Sequence, residues 1–232
     1  MQHRLNKDLQ RTANFTADAA ALIIETGRRA IADSGLFRLG LAGGNTPRAI
    51  YAALAQTPNA LPWDRVQITF GDERCVPPDH ADSNYLMAKE ALLSRVPIPE
   101  GNVFRIRGEI HHEEAATECE ARLNAVAQRL GEARYVHDLL LLGLGEDGHT
   151  ASLFPGSPAL DETDRNVIPA TGPKPPPQRI TFTLPLINAA RLVVFLVNDP
   201  KKEPIVQAAW NGEFPSGKVS PTQGKVLWLV GM

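Results

Sequence analysis

Short, unbroken apolar runs alternate along the chain with longer segments in which apolar residues recur every three or four positions. Leu139 to Leu142 is one such run, and four consecutive leucines suit a strand buried on both faces of a parallel sheet better than an amphipathic helix. Phe37 to Ala42, Val66 to Phe70, Arg179 to Thr183, Arg191 to Val197 and Val226 to Val230 read as further strands, and Val103 to Ile106 as a weak one. A helix is predicted over Ala17 to Ala32, ended by Asp33-Ser34-Gly35, and another after Pro47 through Ile50, Tyr51 and Leu54. A third runs from an Asp82-Ser83-Asn84 cap through Leu86, Ala88 and Leu93 to Pro97 and Pro99. Two more cover His111 to Leu130, and Asn198-Asp199-Pro200 through Ile205, Val206 and Trp210. Thr150 to Phe154 reads as a short helix halted by Pro155-Gly156, and the proline-rich stretch Asp161 to Gln178 as an ordered surface loop or short hairpin. Such alternation predicts an α/β fold, with a mainly parallel sheet and helices on both faces.

Length and composition narrow this further. The 232 residues suit one large domain spanning residues 1–232. A net charge of −2, with 22% charged residues, gives no general attraction for nucleic acid or an anionic membrane, so any affinity for phosphate must be local. Cys75 and Cys119 are far apart and lack zinc-type spacing, which predicts free thiols in a reducing cytosol. The polar start MQHRLNKDLQ lacks the apolar core of a signal peptide, and no later run is long enough to span a bilayer. A cytoplasmic protein is expected, with neither nucleic acid nor membrane as partner.

The candidate chemistry gathers where the strands end. After Leu142, Gly143 and Gly145 let the backbone turn sharply, and Asp147 is placed to cap a helix starting near His149. Ligands bind at the carboxyl ends of strands in open α/β sheets, which makes His149 the first candidate; a capped turn with a surface histidine is the plainer reading. After Ala42, Gly43-Gly44-Asn45-Thr46-Pro47 opens a helix, with Thr46 as expected N-cap and Pro47 at the first helical position. Free N–H groups there form a phosphate cradle that needs no lysine, although a tight strand-to-helix connection would look alike. Asp72, Glu73 and Arg74 follow the strand ending at Phe70 and place an acid and a guanidinium at the same crevice, or else form a solvated turn. Arg179 opens its own strand, and Lys201 or Lys202, beside a helix N-terminus, either completes an anion site or is simply solvated. Cys75 reads as a small packed side chain rather than a nucleophile, because no histidine lies beside it in sequence. His111 and His112, with Glu113 and Glu114, have ligand chemistry, but the helix dipole accounts for an acidic first turn, so no metal site is expected.

Four stretches stand together: LAGGNTPRAIYAAL, ITFGDERCVPPDHADSNY, LLLLGLGEDGHTASLFPGS, and PPPQRITFTLPLINAARLVVFLV with Lys202 behind it. They resemble the 6-phosphogluconolactonase family of the bacterial type, in the wider superfamily that includes glucosamine-6-phosphate deaminase and ribose-5-phosphate isomerase. The likeness covers essentially the whole chain. Asp-Glu-Arg followed by Asp-Ser-Asn-Tyr, together with Gly-His-Thr-Ala-Ser-Leu-Phe-Pro, separates lactonases from their deaminase relatives. The resemblance implies a Rossmann-like parallel sheet, no metal, no nucleotide cofactor, and hydrolysis of a phosphorylated sugar lactone in the pentose phosphate pathway. It implies that His149 activates water against the lactone carbonyl and later returns a proton to the ring oxygen. Gly43, Gly44, Asn45 and Thr46 would bind the 6-phosphate through main-chain groups, with Arg179 and Lys202 supplying positive charge, while Asp72, counted with His149 as catalytic, and Arg74 would border the sugar and hold it or the water in place. Asp199 stands where similar proteins often have glycine, which leaves open whether Lys201 or Lys202 turns inward. The expected partner is a small sugar-phosphate lactone, handled by a monomer or small homo-oligomer. Two alternatives stay open: a deaminase or isomerase of the same superfamily, and a non-catalytic sugar-phosphate sensor. A sensor of the repressor kind would need a basic helix-turn-helix segment, for which the chain shows no spare length.

Overall fold

The computed structural model describes residues 6–232, so His3 and the first half of the polar N-terminal stretch lie outside the described residues. In order, the chain forms β1 (Lys7–Thr12), α1 (Phe15–Ser34), β2 (Phe37–Leu41), α2 (Asn45–Leu54), β3 (Val66–Phe70), β4 (Asp72–Arg74), α3 (Asn84–Ala91) and α4 (His112–Arg129). It continues with β5 (Leu139–Leu142), β6 (Val167–Thr171), β7 (Gln178–Phe182), α5 (Leu184–Ile187), β8 (Leu192–Val197), α6 (Glu203–Trp210) and β9 (Lys225–Gly231). Six strands lie side by side in the order β1-β9-β8-β5-β2-β3, every neighbouring pair parallel.

β5 is interior to this sheet, and each of its four leucines is at most 1% exposed. Successive side chains on a strand point to opposite faces, so burying all four requires cover on both. α1 supplies part of it, packing on β2, β5 and β9 through a stripe that includes Phe15, Ala19, Ile23 and Gly27. A Cβ on Gly27 would sit 2.8 Å from the Phe37 ring, so this glycine sets how closely the helix lies on β2. α1 ends at Gly35, whose φ of 78° is the left-handed conformation that glycine adopts without strain. Ile23, Phe37, Phe70 and Phe195 are each at most 1% exposed, and each burial stabilises the fold by roughly 1.5–3 kcal/mol.

β4, β7 and β6 form a second, antiparallel sheet. Gly71 joins the two: its N–H donates to Leu41 O at 2.9 Å, and its carbonyl accepts from the Phe182 N–H at 2.8 Å. The small sheet therefore springs from the carboxyl end of β3, and α4 packs against β6 and β7.

The strands expected from apolar runs are present within a residue at each end, and the proline-rich stretch forms part of the β6–β7 hairpin. Several details differ. β1 was not expected: its KDLQRT sequence is polar because this edge strand pairs only with β9, Lys7 to Val226 through Thr12 to Gly231, and is mostly exposed. Val103 to Ile106 is no strand, making only a bridge from Val103 to Ile68. Asp72 to Arg74 is a strand rather than a turn. Thr150 to Phe154 is not helical but a tight turn with Thr150 bridged to Leu153, and Asp147 therefore caps no helix. α2 begins two residues earlier than expected, so Thr46 is not its N-cap; Gly44 is, with φ 100° and ψ 177°.

Candidate active site

Strand order fixes where a cleft must open. β2 leads outward to β3, and the chain then returns to the other side of β2 to lay down β5, so the loops leaving β2 and β5 diverge at this switch point. A cleft of about 530 Å³ lies there, and its lining includes Gly43, Gly44, Asn45, Thr46, Asp72, Arg74, His149, Arg179 and Lys202. All nine candidates from the sequence are brought to one place.

The loop after β5 is built around the histidine. Asp147 Oδ1 accepts from the His149 N–H at 3.1 Å and lies 2.5 Å from His149 Nδ1. With Asp147 as acceptor, Nδ1 carries the proton and Nε2 is left with its lone pair. Burial pushes the Asp147 carboxyl up, but the side-chain and backbone hydrogen bonds from His149 outweigh it and hold Asp147 below the ordinary aspartate range. A Cβ on Gly145 would lie 2.1 Å from His149 Nδ1, so only glycine there admits the ring. The Phe154 ring lies 4.5 Å from the imidazole and walls one side, while the His149 side chain stays 31% exposed. The imidazole is oriented yet reachable.

The β2–α2 loop offers main-chain donors. Tyr51, fully buried, accepts from the Ala42 N–H and donates to the Ala42 carbonyl, both at 2.9 Å, which pins the residue before Gly43. Gly44 then takes a positive φ, and no side chain caps the helix. The first-turn N–H groups of Asn45 and Thr46 have no intrahelical partner, and the positive end of the helix dipole faces the same way.

The β4–β7 ladder adds charge. Asp72 and Arg74, two apart on β4, share a face, and Arg74 stands directly across from Arg179. Like charges directly opposite are destabilising in an antiparallel pair. Yet the Nε of each guanidinium is buried without a partner, and the other contacts are carbonyls: Arg74 Nη1 to Asp82 O at 2.5 Å, Arg179 Nη2 to Lys174 O at 3.3 Å. Burial, and after it the Arg74 charge, holds Arg179 below the ordinary arginine range. Two guanidiniums left without carboxylates at a cleft have the chemistry to hold an anion. Lys202 lines the cleft and donates to Leu144 O at 2.5 Å, whereas Lys201 is exposed. The inward lysine is thus Lys202.

Glu73 points the other way. It is 2% exposed and accepts from the N–H groups of Arg74, Asn84 and Tyr85 at 2.8, 2.7 and 2.8 Å, fastening the start of α3 to β4. Burial pushes its carboxyl up, and those three donors oppose the shift. Sequence reasoning missed Asn84 and Ser152, which both bind Asp72; the signal was their place in the family motifs, where they read as part of a helix cap and part of a short helix. It also took Asp147 for a helix cap rather than the partner of a histidine.

Neither cysteine joins the site. Burial, with Glu73 adding to it, pushes the Cys75 thiol up, and burial pushes Cys119 up to about 12. Among the described residues no three His, Cys, Asp or Glu side chains gather as metal ligands, and no helix is long and apolar enough to cross a membrane.

Known proteins are similar to this chain in sequence and in fold. The family described as glucosamine-6-phosphate isomerases/6-phosphogluconolactonase matches residues 10–228. The chain is 42% identical over 218 residues to the 6-phosphogluconolactonase of Synechocystis sp., covering 90% of this chain and 89% of that one. It is 42% identical over 204 residues to the 6-phosphogluconolactonase of Homo sapiens, covering 84% and 78%. The crystal structure of 6-phosphogluconolactonase from Thermotoga maritima superposes with a TM-score of 0.86 at 27% identity, covering 97% of this chain and all of that one. The structure of the Trypanosoma brucei 6-phosphogluconolactonase does so with a TM-score of 0.83 at 29% identity, covering 98% and 97%. By sequence, fold and the match across nearly its whole length, the chain belongs to the glucosamine-6-phosphate isomerase/6-phosphogluconolactonase family.

Proposed function

We propose that the chain hydrolyses 6-phospho-D-glucono-1,5-lactone to 6-phosphogluconate, a carboxylic ester hydrolysis of the oxidative pentose phosphate pathway, with His149 as the base that activates water. The relatives named as lactonases support the reaction. The observation that carries the mechanism is the Asp147–His149 pair at 2.5 Å, which orients an imidazole toward a cleft with its Nε2 free. A δ-lactone is an activated ester, so a positioned base and water suffice, and no covalent nucleophile is needed. Nε2 takes a proton from water as its oxygen adds to the carbonyl carbon; the imidazolium, stabilised by Asp147, then returns the proton to the ring oxygen as the C–O bond breaks. Negative charge building on the carbonyl oxygen is met by the cationic cleft, where Arg74 borders the sugar.

The 6-phosphate is assigned to the N–H groups after Gly43 and Gly44, at Asn45 and Thr46, with Arg179 and Lys202 closing the site. A dianion there relieves the Arg74–Arg179 opposition and fills the positive end of α2. Asp72 is placed at the sugar end. The reading carries a cytoplasmic location, where the free thiols Cys75 and Cys119 stay reduced, and a monomer or small homo-oligomer.

The test is to offer the native protein the phosphorylated lactone and, separately, glucosamine 6-phosphate. Acid release from the lactone well above its spontaneous rate, with no ammonia from the amino sugar, is expected. Ammonia release without lactonase activity would transfer the site to deamination.

A further inference from the structure

The turn that follows His149 delivers a side chain to Asp72. Ala151 sits at φ 48°, in the left-handed region, and the chain reverses so that Thr150 bridges to Leu153. Ser152 is left 1% exposed, its N–H donating to Thr181 Oγ1 at 3.1 Å and its Oγ donating to Asp72 Oδ2 at 2.6 Å. The other carboxylate oxygen, Oδ1, accepts from Asn84 Nδ2 at 3.1 Å, and the same amide donates to the Asp72 carbonyl at 2.9 Å. Asn84 is 3% exposed and opens α3, with its own N–H held by Glu73. Its amide also packs against Gly43: a Cβ at that glycine would lie 2.0 Å from Asn84 Oδ1 and 2.5 Å from its Cγ.

We propose that Asn84 and Ser152 are positioning residues of the lactonase reaction. Together they fix the plane of the Asp72 carboxylate at the cleft, and Asn84 also sets the distance from that carboxylate to the Gly43–Thr46 loop. The proposal rests on the lactonase reading above and deepens it. The χ2 torsion of an aspartate is soft, so a carboxylate held through one oxygen swings; one donor on each oxygen stops it. Neither donor needed this partner for burial alone, since a serine hydroxyl in a turn finds backbone acceptors readily. Wedging one buried amide between the carboxylate and the phosphate loop registers the sugar end of the substrate against its phosphate end, which matters because small misplacements of bound groups cost rate. It also explains the alternation of Asp72, Glu73 and Arg74. The outer two face the cleft, and the middle one anchors the helix that presents Asn84.

The experiment measures kcat and KM for the phosphorylated and unphosphorylated lactones in Ser152→Ala, Ser152→Thr and Asn84→Ala, and repeats Ser152→Ala in an Asp72→Ala background. Ser152→Ala lowers kcat roughly 10- to 100-fold, the worth of one hydrogen bond to a charged group, and Ser152→Thr, which keeps the hydroxyl, restores most of it. Asn84→Ala lowers kcat similarly and raises KM for the phosphorylated lactone alone. With Asp72 already removed, Ser152→Ala costs less than about twofold more, because nothing is left to position. Native-like kcat in Ser152→Ala, or full additivity with Asp72→Ala, overturns the proposal. Should Asn84→Ala fail to fold, the Ser152 cycle with its threonine rescue decides alone. A native protein inert toward both lactones removes the lactonase reading and the proposal with it; native turnover with additive variants removes the proposal only.

Discussion

β5 has a histidine and an aspartate at each end. Before the strand, His137 is 0% exposed, with Nε2 2.8 Å from Thr69 Oγ1 and its ring edge-on to Tyr135. Beside it Asp138 accepts from the Arg38 N–H at 2.8 Å and pairs with the Nε of Arg191 at 3.2 Å, while Arg38 also pairs with Glu132 at 2.5 Å. Burial, helped by the Arg38 charge, drives the His137 pKa down to about 3, so its ring stays neutral. After the strand, His149 is reachable, bound to Asp147, and shares its cleft with cations that have carbonyls for partners. The residue types are alike. At the amino end the chain supplies the counter-charges itself; at the carboxyl end they are left for a ligand to bring. That contrast is the one that distinguishes a structural cluster from the reactive one proposed around His149.

The largest expected effect tests the contrast at its two histidines. His149→Ala lowers kcat by at least roughly 100-fold with the fold intact, the usual worth of a general base, whereas His137→Gln weakens the fold but leaves the kcat of the folded fraction near native. Steady-state kinetics beside thermal melts of both variants give the answer, and retained turnover without His149 would take it out of the mechanism.

Next in size is the phosphate end. Arg179→Ala or Lys202→Ala should raise KM for the phosphorylated lactone roughly 10- to 150-fold more than for gluconolactone, because each removes a charged hydrogen bond. Equal losses on both substrates would make these residues structural. Lys201→Ala, exposed and outside the cleft, should be silent in the same assay.

The amino end makes a smaller, pH-dependent prediction about stability. The folded pKa of His137 lies near 3, below its ordinary 6.5, so the unfolded chain binds the extra proton between those values. Stability is therefore fully present above pH 6.5 and declines as pH falls toward 3, by about 1.4 kcal/mol per pH unit from this one group. Urea denaturation across that window should show a shallower decline in His137→Gln than in the native chain; parallel curves would mean that His137 is not buried neutral. The smallest effect expected is none: exhaustive EDTA treatment should leave lactone hydrolysis unchanged, since the donor set at the cleft lacks a ligand cluster. Activity lost to EDTA and restored by added metal would demote His149 to a ligand.

Much of this was legible from the chain because parallel strands buried on both faces write themselves as apolar runs, and glycine turns mark their carboxyl ends. β1 was not, because an edge strand with one partner needs no apolar residues. Asp147 was misread because a short polar side chain after glycines fits both a helix cap and an Asx turn, and only the path of the following backbone decides; Thr46 was misread because the glycine ahead of Asn45 caps α2 instead. Asn84 and Ser152 read only as parts of a helix cap and a short helix because their contacts to Asp72 span 12 and 80 positions, separations that no local pattern encodes. For the same reason the saturated cluster around His137 could not be told from the open one around His149 by residue type.

The most direct measurement is a crystal structure with 6-phosphogluconate bound. The account predicts the phosphate against the Gly44, Asn45 and Thr46 N–H groups with Arg179 and Lys202, and the carboxyl end of the ligand within hydrogen-bonding reach of His149 Nε2. A ligand bound in the reverse sense, or with its carboxyl end remote from His149, would contradict it.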